Sequence, residues 1–528
     1  MVYLPAIILS LFFSIIFTLI VKKMAFKFGI VDKPNSSRKI HTMPIPLMGG
    51  LAIFLAFFLV LFIFRDSLLV GNLTNRHWLG FFIGAIFLLL GGLLDDKYNL
   101  KPKFQIIWPI LAALSVVIGG VSIEKISNPM GGFISFPFWF SAIIIFLWIL
   151  GMTYTTKLLD GLDGLATGVS AIGGLVIFLF TISDKYFQPD ISMASLIFFC
   201  VLIGFLIFNF NPAKIFLGES GSLLIGYILG VLAIISGGKI AIALLVMGLP
   251  ALDVLWTIIR RLAIGKNPFK YSDRKHLHYR LIDLGFSHKK AVLFFYIISA
   301  FFGFGSLFLQ SSGKLWALFV LLILMLTIII FFHFFDKKKN NKETLLLHIC
   351  CAPCGSYLIS KILSKKFNVI LYFYNSNIDT WEEYDRRLFW IKHIAGRYNL
   401  ELKIEPYNHS SWLEKVHGLE QEPEKGNRCF VCYKDRLFKT AQLAKKLGIK
   451  NFYTTLTISP YKDLDKIRDY GEEIAEKENL KFIDLKFDRK EVYEKSIELS
   501  KKLGIYRQKY CACEFSRPIK INKEKNEK

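Results

Sequence analysis

Two sets of residues in this 528-residue chain have types and spacing that could do chemistry. The first is acidic: Asp95 and Asp96 in GGLLDDKYNL, Asp160 and Asp163 in LLDGLDGLATG, and Glu219 in FLGESGS. Carboxylates at positions i and i+3 can converge on one cation, and hard oxygen ligands suit Mg²⁺ held jointly with phosphate oxygens. Such a metal neutralises charge on a diphosphate and orients an in-line attack. The loop RRLAIGKNPFKYSDRKHLHYRLIDLGFSHKKA adds Arg260, Arg261, Lys266, Arg274, Lys275, His276 and His278, which are available to an anionic substrate. Loop position beside a membrane explains the Lys and Arg but does not predict the HLH triplet.

The second set is sulfur. Seven of the eight cysteines follow Asp336: Cys350, Cys351 and Cys354 in HICCAPCG, Cys429 and Cys432 in RCFVCYKDRL, and Cys511 and Cys513 in YRQKYCACEFS. A CxxC pair can hold one metal, share one cluster or close a disulfide. Zinc is the plain reading, although zinc knuckles rarely use adjacent cysteines. An iron–sulfur cluster accepts four thiolates at irregular spacing, and three thiols would then remain for redox chemistry.

The elements that must position these groups differ between the two parts. A composition that is 53% hydrophobic with a formal net charge of +24 excludes one soluble domain and describes a membrane protein carrying a basic soluble portion. Apolar runs able to cross roughly 30 Å of hydrocarbon as helices centre on residues 4–22, 47–64, 79–94, 104–121, 133–151, 164–182, 191–210, 217–235, 238–257, 291–309 and 315–335, about eleven spans. Basic residues gather in alternate loops: Lys22 to Lys39, then Lys97 to Lys103, then Arg260 to Lys290, then Lys337 to Lys339. The positive-inside rule makes that side cytoplasmic. The amino terminus is then outside a cell (inner) membrane that the chain crosses many times, and everything after Phe335 is cytoplasmic, where thiols stay reduced. All five acids fall on the cytoplasmic side, and acids at membrane depth are costly and usually functional.

A basic linker, Asp336 to Lys342, separates this part from a second domain at 343–518, and 519–528 form a Lys-rich tail. Strands are expected at Thr344–Cys350, Val369–Tyr374, Glu401–Pro406, Asn451–Leu456 and Lys481–Phe487. Helices are expected at Gly355–Lys365, Trp381–Tyr398, Lys434–Leu447, Leu464–Glu478 and Lys490–Leu503. The fold class is therefore a polytopic all-α membrane domain followed by an α/β domain with a mainly parallel sheet. Cys350 and Cys351 lie at the carboxyl end of its first strand, where open α/β folds bind ligands.

Residues 1 to about 335 resemble the polyprenyl-phosphate N-acetylhexosamine-1-phosphate transferase family (glycosyltransferase family 4). The matching pieces are VDKPNSSRKIHTMPIPLMGG (31–50), LLDDKYNL (93–100), LDGLDGLATG (159–168), PAKIFLGESGS (212–222) and NPFKYSDRKHLHYRLIDLGFSHKKA (267–291). The resemblance implies Mg²⁺-dependent transfer of a sugar 1-phosphate from a UDP-sugar to polyprenyl phosphate at the cytoplasmic face. It places Asp95 and Asp96 at the lipid phosphate, Asp160, Asp163 and Glu219 at the metal, and His276 and His278 at the substrate phosphates. The chain departs from the family where Tyr154 and Lys157 replace an Asn-x-x-Asn and where Glu219 replaces the Asp of FLGD.

Residues 342–517 resemble the QueH-type epoxyqueuosine reductases through LLLHICCAPCGSYLI (345–359), YNSNIDTWEEYDRRL (374–388), GLEQEPEKGNRCFVCYKDRL (418–437), NFYTTLTISPYKD (451–463) and YRQKYCACEFS (506–516). That family reduces epoxyqueuosine to queuosine in the tRNA wobble position, using a 4Fe–4S cluster and an adjacent iron. The resemblance implies Cys350, Cys351, Cys429 and Cys432 as cluster ligands, and Cys354, Cys511 and Cys513 for a second metal or a thiol redox step. An electron donor is also implied. Ala512 and Ser376 stand where the family commonly has Gly and Pro. Arg386, Arg387, Arg428, Lys434, Arg436, Lys462 and Arg507 could meet tRNA phosphate, and Tyr374, Tyr461 or Tyr506 could stack on the base.

Taken together, the sequence describes a bifunctional fusion whose oligomeric state stays open, a homodimer through the membrane domain being one arrangement. Two other readings stay open: an inactive membrane anchor for the reductase, and a transferase with a zinc or redox regulatory tail.

Overall fold

The computed structural model describes residues 3–32, 44–69, 73–123, 125–127, 133–236, 240–265, 275–340, 342–398, 400–483, 485, 487–508 and 510–516. Lys33, Arg38, Lys39, Lys266 and Arg274, most of the 31–50 motif and the 519–528 tail lie outside them. The chain divides into two compact units that part near residue 330.

The first unit is helical: α1 Tyr3–Phe28, α2 Gly49–Ile63, α3 Asn75–Tyr98, α4 Pro102–Ile118, α5 Phe138–Leu159, α6 Leu165–Thr181, α7 Pro189–Asn209, α8 Gly218–Ile235, α9 Ile240–Ala263, α10 Leu277–Asp283, α11 His288–Phe308 and α12 Ser311–Asn340. Among the described residues, eight helices are long and apolar enough to cross a membrane: α1, α3, α5, α7, α8, α9, α11 and α12. The apolar helices α2, α4 and α6 stand where spans at 47–64, 104–121 and 164–182 are expected, but each has at most 17 residues. At 1.5 Å per residue such a helix is about 25 Å long, short of a full hydrocarbon core.

The most enclosed helix is α8, which packs on α3, α5, α2 and α6. Its first turn can lie against α3 because Gly92 has no side chain; a Cβ there would overlap the Ser220 backbone. The stretch expected as a linker from Asp336 instead continues α12 to Asn340, as its apolar run passes directly into Lys residues that are good helix formers.

The second unit is a five-stranded, wholly parallel sheet: β1 Thr344–His348, β2 Asn368–Phe373, β3 Glu401–Ile404, β4 Asn451–Thr454 and β5 Lys481–Phe482, in the order β3-β2-β1-β4-β5. Leu345, Leu346 and Leu347 of the central strand are fully buried, as expected of a strand covered on both faces. The covering helices are α13 Ala352–Tyr357, α14 Trp381–Arg397, α15 Asn427–Lys446, α16 Leu464–Glu478 and α17 Arg489–Lys502. Thr380 starts α14 by accepting a hydrogen bond from Glu383 N at 3.3 Å, and Glu382 and Glu383 add negative charge to its first turn.

Two expectations shift. α15 begins at Asn427 instead of Lys434, which puts Cys429 and Cys432 in its first two turns, and β5 pairs over only two residues. From β1 the chain adds strands first on one side and then, at β4, on the other. The crevice between the carboxyl ends of β1 and β4 is thus a topological switch point.

Candidate functional sites

In the helical unit, residues from four of the motifs meet. Asp96, in the last turn of α3, accepts hydrogen bonds from Glu219 N at 2.8 Å and from Ser220 N at 3.4 Å, so it caps the start of α8. Asp95 accepts from Leu100 N at 2.7 Å and Gln105 Nε2 at 3.1 Å and fixes the turn into α4. Asp163 accepts from Asn211 Nδ2 at 2.8 Å and Ala213 N at 3.1 Å, with His288 Nε2 4.0 Å away. Burial, then the charges of Glu219 and Asp163, push the Asp160 carboxyl up to about 8. Lys157, at the end of α5, places Nζ 2.8 Å from Glu219 Oε2 and 3.4 Å from Gln105 Oε1. Two of the three positions that depart from the family pattern, Lys157 and Glu219, therefore touch.

The histidines arrive from α10. His276 is buried and donates Nδ1–H to Asp253 Oδ2 at 2.9 Å, while Leu277 N donates to Asp253 Oδ1 at 3.0 Å. His278, also buried, stacks on His276 and packs over Gly161, where any Cβ would overlap its ring. Gly161 of DGLDG thus makes room for the second histidine. Asp253 lies outside the motifs singled out in the sequence. Its signal is a carboxylate inside the apolar run ALDVLWTII, which a membrane helix rarely tolerates without a partner.

In the sheet unit, the thiols gather at the switch point. Cys350 leaves β1 with its N–H donating to Thr455 Oγ1 at 3.3 Å, just past β4. Its sulfur lies 3.9 Å from that of Cys351. Hydrogen bonds from the Cys351 and then the Cys354 thiols hold Cys350 well below the usual thiol range, so the three thiols share one readily ionised sulfur. Gln508 Nε2 donates to Cys351 Sγ at 3.0 Å, and Lys462 Nζ donates to Cys511 Sγ at 2.9 Å. Burial pushes the Cys511 thiol up, but the ammonium of Lys462 and then Arg436 reverse this and leave it below its ordinary value. Cys432 is pushed up to about 12 by burial, with Cys511 and Cys429 close enough to add to the effect. The structure thus brings together Cys350, Cys351, Cys354, Cys429, Cys432 and Cys511, and Cys513 interacts with Cys511 and Cys429 from its edge. None of the eight cysteines is joined in a disulfide.

Among the described residues, no three His, Cys, Asp or Glu side chains already converge as a metal-ligating group in either unit. The donor chemistry nevertheless suits the groups expected. The soft donors are all thiols, and buried Arg387 and Arg436 face them as counter-charges, as an anionic thiolate cluster requires. The described residues of the helical site offer carboxylate oxygen, imidazole and ammonium, with the amides of Gln105 and Asn211 beside them.

Several residues expected at tRNA sit elsewhere. Arg387, Arg428 and Arg436 are 3%, 2% and 3% exposed, turned toward Cys511 O, Glu420 O and Asn377, so none can meet a phosphate. Tyr374 is buried with its hydroxyl donating to Asp435 at 2.8 Å. Arg386, stacked over the Tyr506 ring, and Tyr461 remain exposed.

Comparison with known proteins follows the same division. The family described as "Glycosyl transferase family 4" matches residues 78–237, and "Epoxyqueuosine reductase QueH" matches residues 345–518. A probable undecaprenyl-phosphate N-acetylglucosaminyl 1-phosphate transferase of Bacillus subtilis (strain 168) is 36% identical over 325 residues, covering 60% of this chain and 87% of the relative. Epoxyqueuosine reductase QueH of Streptococcus pyogenes serotype M1 is 36% identical over 176 residues, 32% of this chain and 69% of the relative. Its namesake from Thermotoga maritima is 36% identical over 173 residues, with 88% of the relative covered. Apolar helices of this length, with relatives of the first kind, make this a multi-pass membrane protein. The chain belongs to two enzyme families at once: glycosyl transferase family 4 through its helical unit, and the QueH epoxyqueuosine reductases through its parallel-sheet unit.

Proposed function

We propose that the protein is a bifunctional enzyme. Its helical domain, residues 1–335, transfers a sugar 1-phosphate from a UDP-sugar to polyprenyl phosphate, and its thiol domain, residues 343–518, reduces epoxyqueuosine to queuosine in tRNA. One observation supports both halves: motif residues far apart in sequence are gathered at one place in each unit, Asp160, Asp163 and Glu219 in the first and the cysteines in the second.

In the transferase, Asp160, Asp163 and Glu219 would hold Mg²⁺, which neutralises diphosphate charge when bound. Asp95 and Asp96 stand at the lipid-phosphate end and keep α3, α4 and α8 in register, and His276, held by Asp253, faces the substrate phosphates. The short helices α2, α4 and α6, extended to the membrane surfaces by the residues that flank them, would bring the crossings to eleven, with the amino terminus outside and the sheet domain in the cytoplasm. In the reductase, Cys350, Cys351, Cys429 and Cys432 would hold a 4Fe–4S cluster, with Cys354, Cys511 and Cys513 at a second iron. Those groups supply electrons and a Lewis acid when bound. Lys462 and Arg436 balance thiolate charge, and exposed Arg386 and Tyr461 meet the RNA.

The test uses the full chain, purified anaerobically in lipid nanodiscs. UMP release dependent on both UDP-sugar and polyprenyl phosphate is expected, as is conversion of epoxyqueuosine-containing tRNA with a chemical reductant. A second reading, a helical anchor that transfers nothing, draws on the Lys157–Glu219 pair, which occupies one of the three carboxylates. Queuosine formation with no UMP release under any UDP-sugar would select it.

A further inference from the structure

Lys157 brings a fixed positive charge into the place where the carboxylates meet. Its Nζ lies 2.8 Å from Glu219 Oε2, and that oxygen is buried with no hydrogen-bond partner besides this ion pair. Glu219 in turn is close enough to Asp160 and Asp96 to act on both electrostatically. The ammonium is anchored from the other side by Gln105 Oε1 at 3.4 Å, and Gln105 is itself held by Asp95 and by Leu100 O at 2.9 Å. The lysine side chain is 18% exposed, so water screens the pair only in part. Asp160, Asp163 and Glu219 are near enough for Asp160 to feel the charge of the other two, and a cation beside them relieves that repulsion. Here the chain supplies that cation.

We propose that Lys157 is a resident counter-cation that is displaced when a divalent metal and a nucleotide diphosphate bind together. This rests on the transferase reading of the acidic cluster. A free divalent ion approaching Glu219 meets an ammonium already seated on the oxygen it needs and gains little by evicting it into water. A metal arriving with a diphosphate offers that ammonium a phosphate oxygen in exchange. Lys157 then moves from Glu219 to the diphosphate, and Glu219 turns to the metal. Metal and nucleotide each strengthen the binding of the other, and the coupling is reciprocal because both draw on the same ion pair. The substrate class follows from the exchange: an anionic diphosphate, whatever sugar it carries, is what draws the lysine away.

The experiment measures Mn²⁺ binding to the full-length protein in detergent by electron paramagnetic resonance of free Mn²⁺, with and without UDP, and requires no turnover. Wild-type protein is expected to bind Mn²⁺ weakly alone and at least tenfold more tightly with UDP. Lys157→Gln is expected to bind Mn²⁺ alone at least tenfold more tightly than wild type and to lose the UDP effect. Glu219→Asp, which shortens the acid side of the pair while keeping a carboxylate, should move in the same direction and guards against a folding defect in the first variant. Unchanged or weaker Mn²⁺ binding by both variants, with wild-type binding intact, overturns the displacement proposal and leaves the transferase reading standing. Absence of any Mn²⁺ site in wild type and variants, with UDP present, overturns both.

Discussion

Asp253 Oδ2 and His276 Nδ1 lie 2.9 Å apart in a buried contact that joins the middle of α9 to the start of α10. A carboxylate on Nδ1 fixes the tautomer and ring orientation of a histidine and leaves Nε2 as its working nitrogen. Asp253→Asn keeps the size but loses the charge and the certainty of accepting a proton. The expected loss in kcat is about 10- to 100-fold, the range for partners that orient a functional histidine, with KM for UDP-sugar little changed and the pH profile of kcat displaced. UMP release in nanodiscs across pH reads this out. An unaltered pH profile would remove Asp253 from any positioning role.

Lys462 holds Cys511 as a thiolate partner at 2.9 Å. In Lys462→Met the burial that pushes this thiol up is left unopposed by the nearest cation, so its pKa rises. Alkylation of Cys511 by iodoacetamide at pH 7 in the metal-free full-length protein should therefore slow, because the thiolate is the reacting form. Equal alkylation rates in variant and wild type would refute the assignment.

Ala512 has a φ of +144°, a region that side chains rarely adopt, and its carbonyl is pinned by Asp379 N at 3.1 Å. Glycine meets no such penalty. Ala512→Gly should stabilise the loop by about 1 kcal/mol. Slower hydrogen exchange over residues 510–516 is the expected sign, and faster exchange would mean that the Ala512 methyl contributes more through packing than the backbone loses through strain.

His348 bridges the sheet, with Nδ1 2.8 Å from Thr454 Oγ1 and Nε2 3.0 Å from Tyr374 O. Burial, then the charge of Arg436, lowers it to about 4. An unfolded histidine takes its proton near 6.5. The folded domain refuses that proton until about pH 4, so stability is complete above 6.5, falls as pH drops through this window and is level below it. The loss should reach roughly 3 kcal/mol. Hydrogen exchange of the β1 amides, corrected for its intrinsic pH dependence, should show the slope in wild type and lose most of it in His348→Gln.

The parallel sheet, the helix Leu464–Glu478 to the residue, and the thiol site at the end of β1 were legible because apolar runs and amphipathic faces are local patterns. The start of α15 was not, because Asn427 to Tyr433 mixes thiols, a cation and aromatics without a clear period. The burial of Arg387, Arg428 and Arg436 was missed for a related reason: an arginine reads as surface until its partners are seen, and here these mix a neighbour on the same helix, Glu383 for Arg387 and Cys432 for Arg436, with groups far along the chain such as Cys350 and Cys511. The pairing of Asp253 with His276 and of Lys157 with Glu219 is tertiary, and no spacing in one sequence announces it.

Cys351 and Gln508 are in contact across 157 residues of chain. The thiol centre is therefore a late event in the life of each molecule. A nascent chain can pair β1 with β2 as soon as both have emerged, yet Cys350 and Cys351 must wait, reduced and partly exposed, until the segment around Cys511 has been made and has closed over them. Oxidation, stray metals and ribosome stalling all act within that interval, and the complete set of thiols is presented to any ligand only after it.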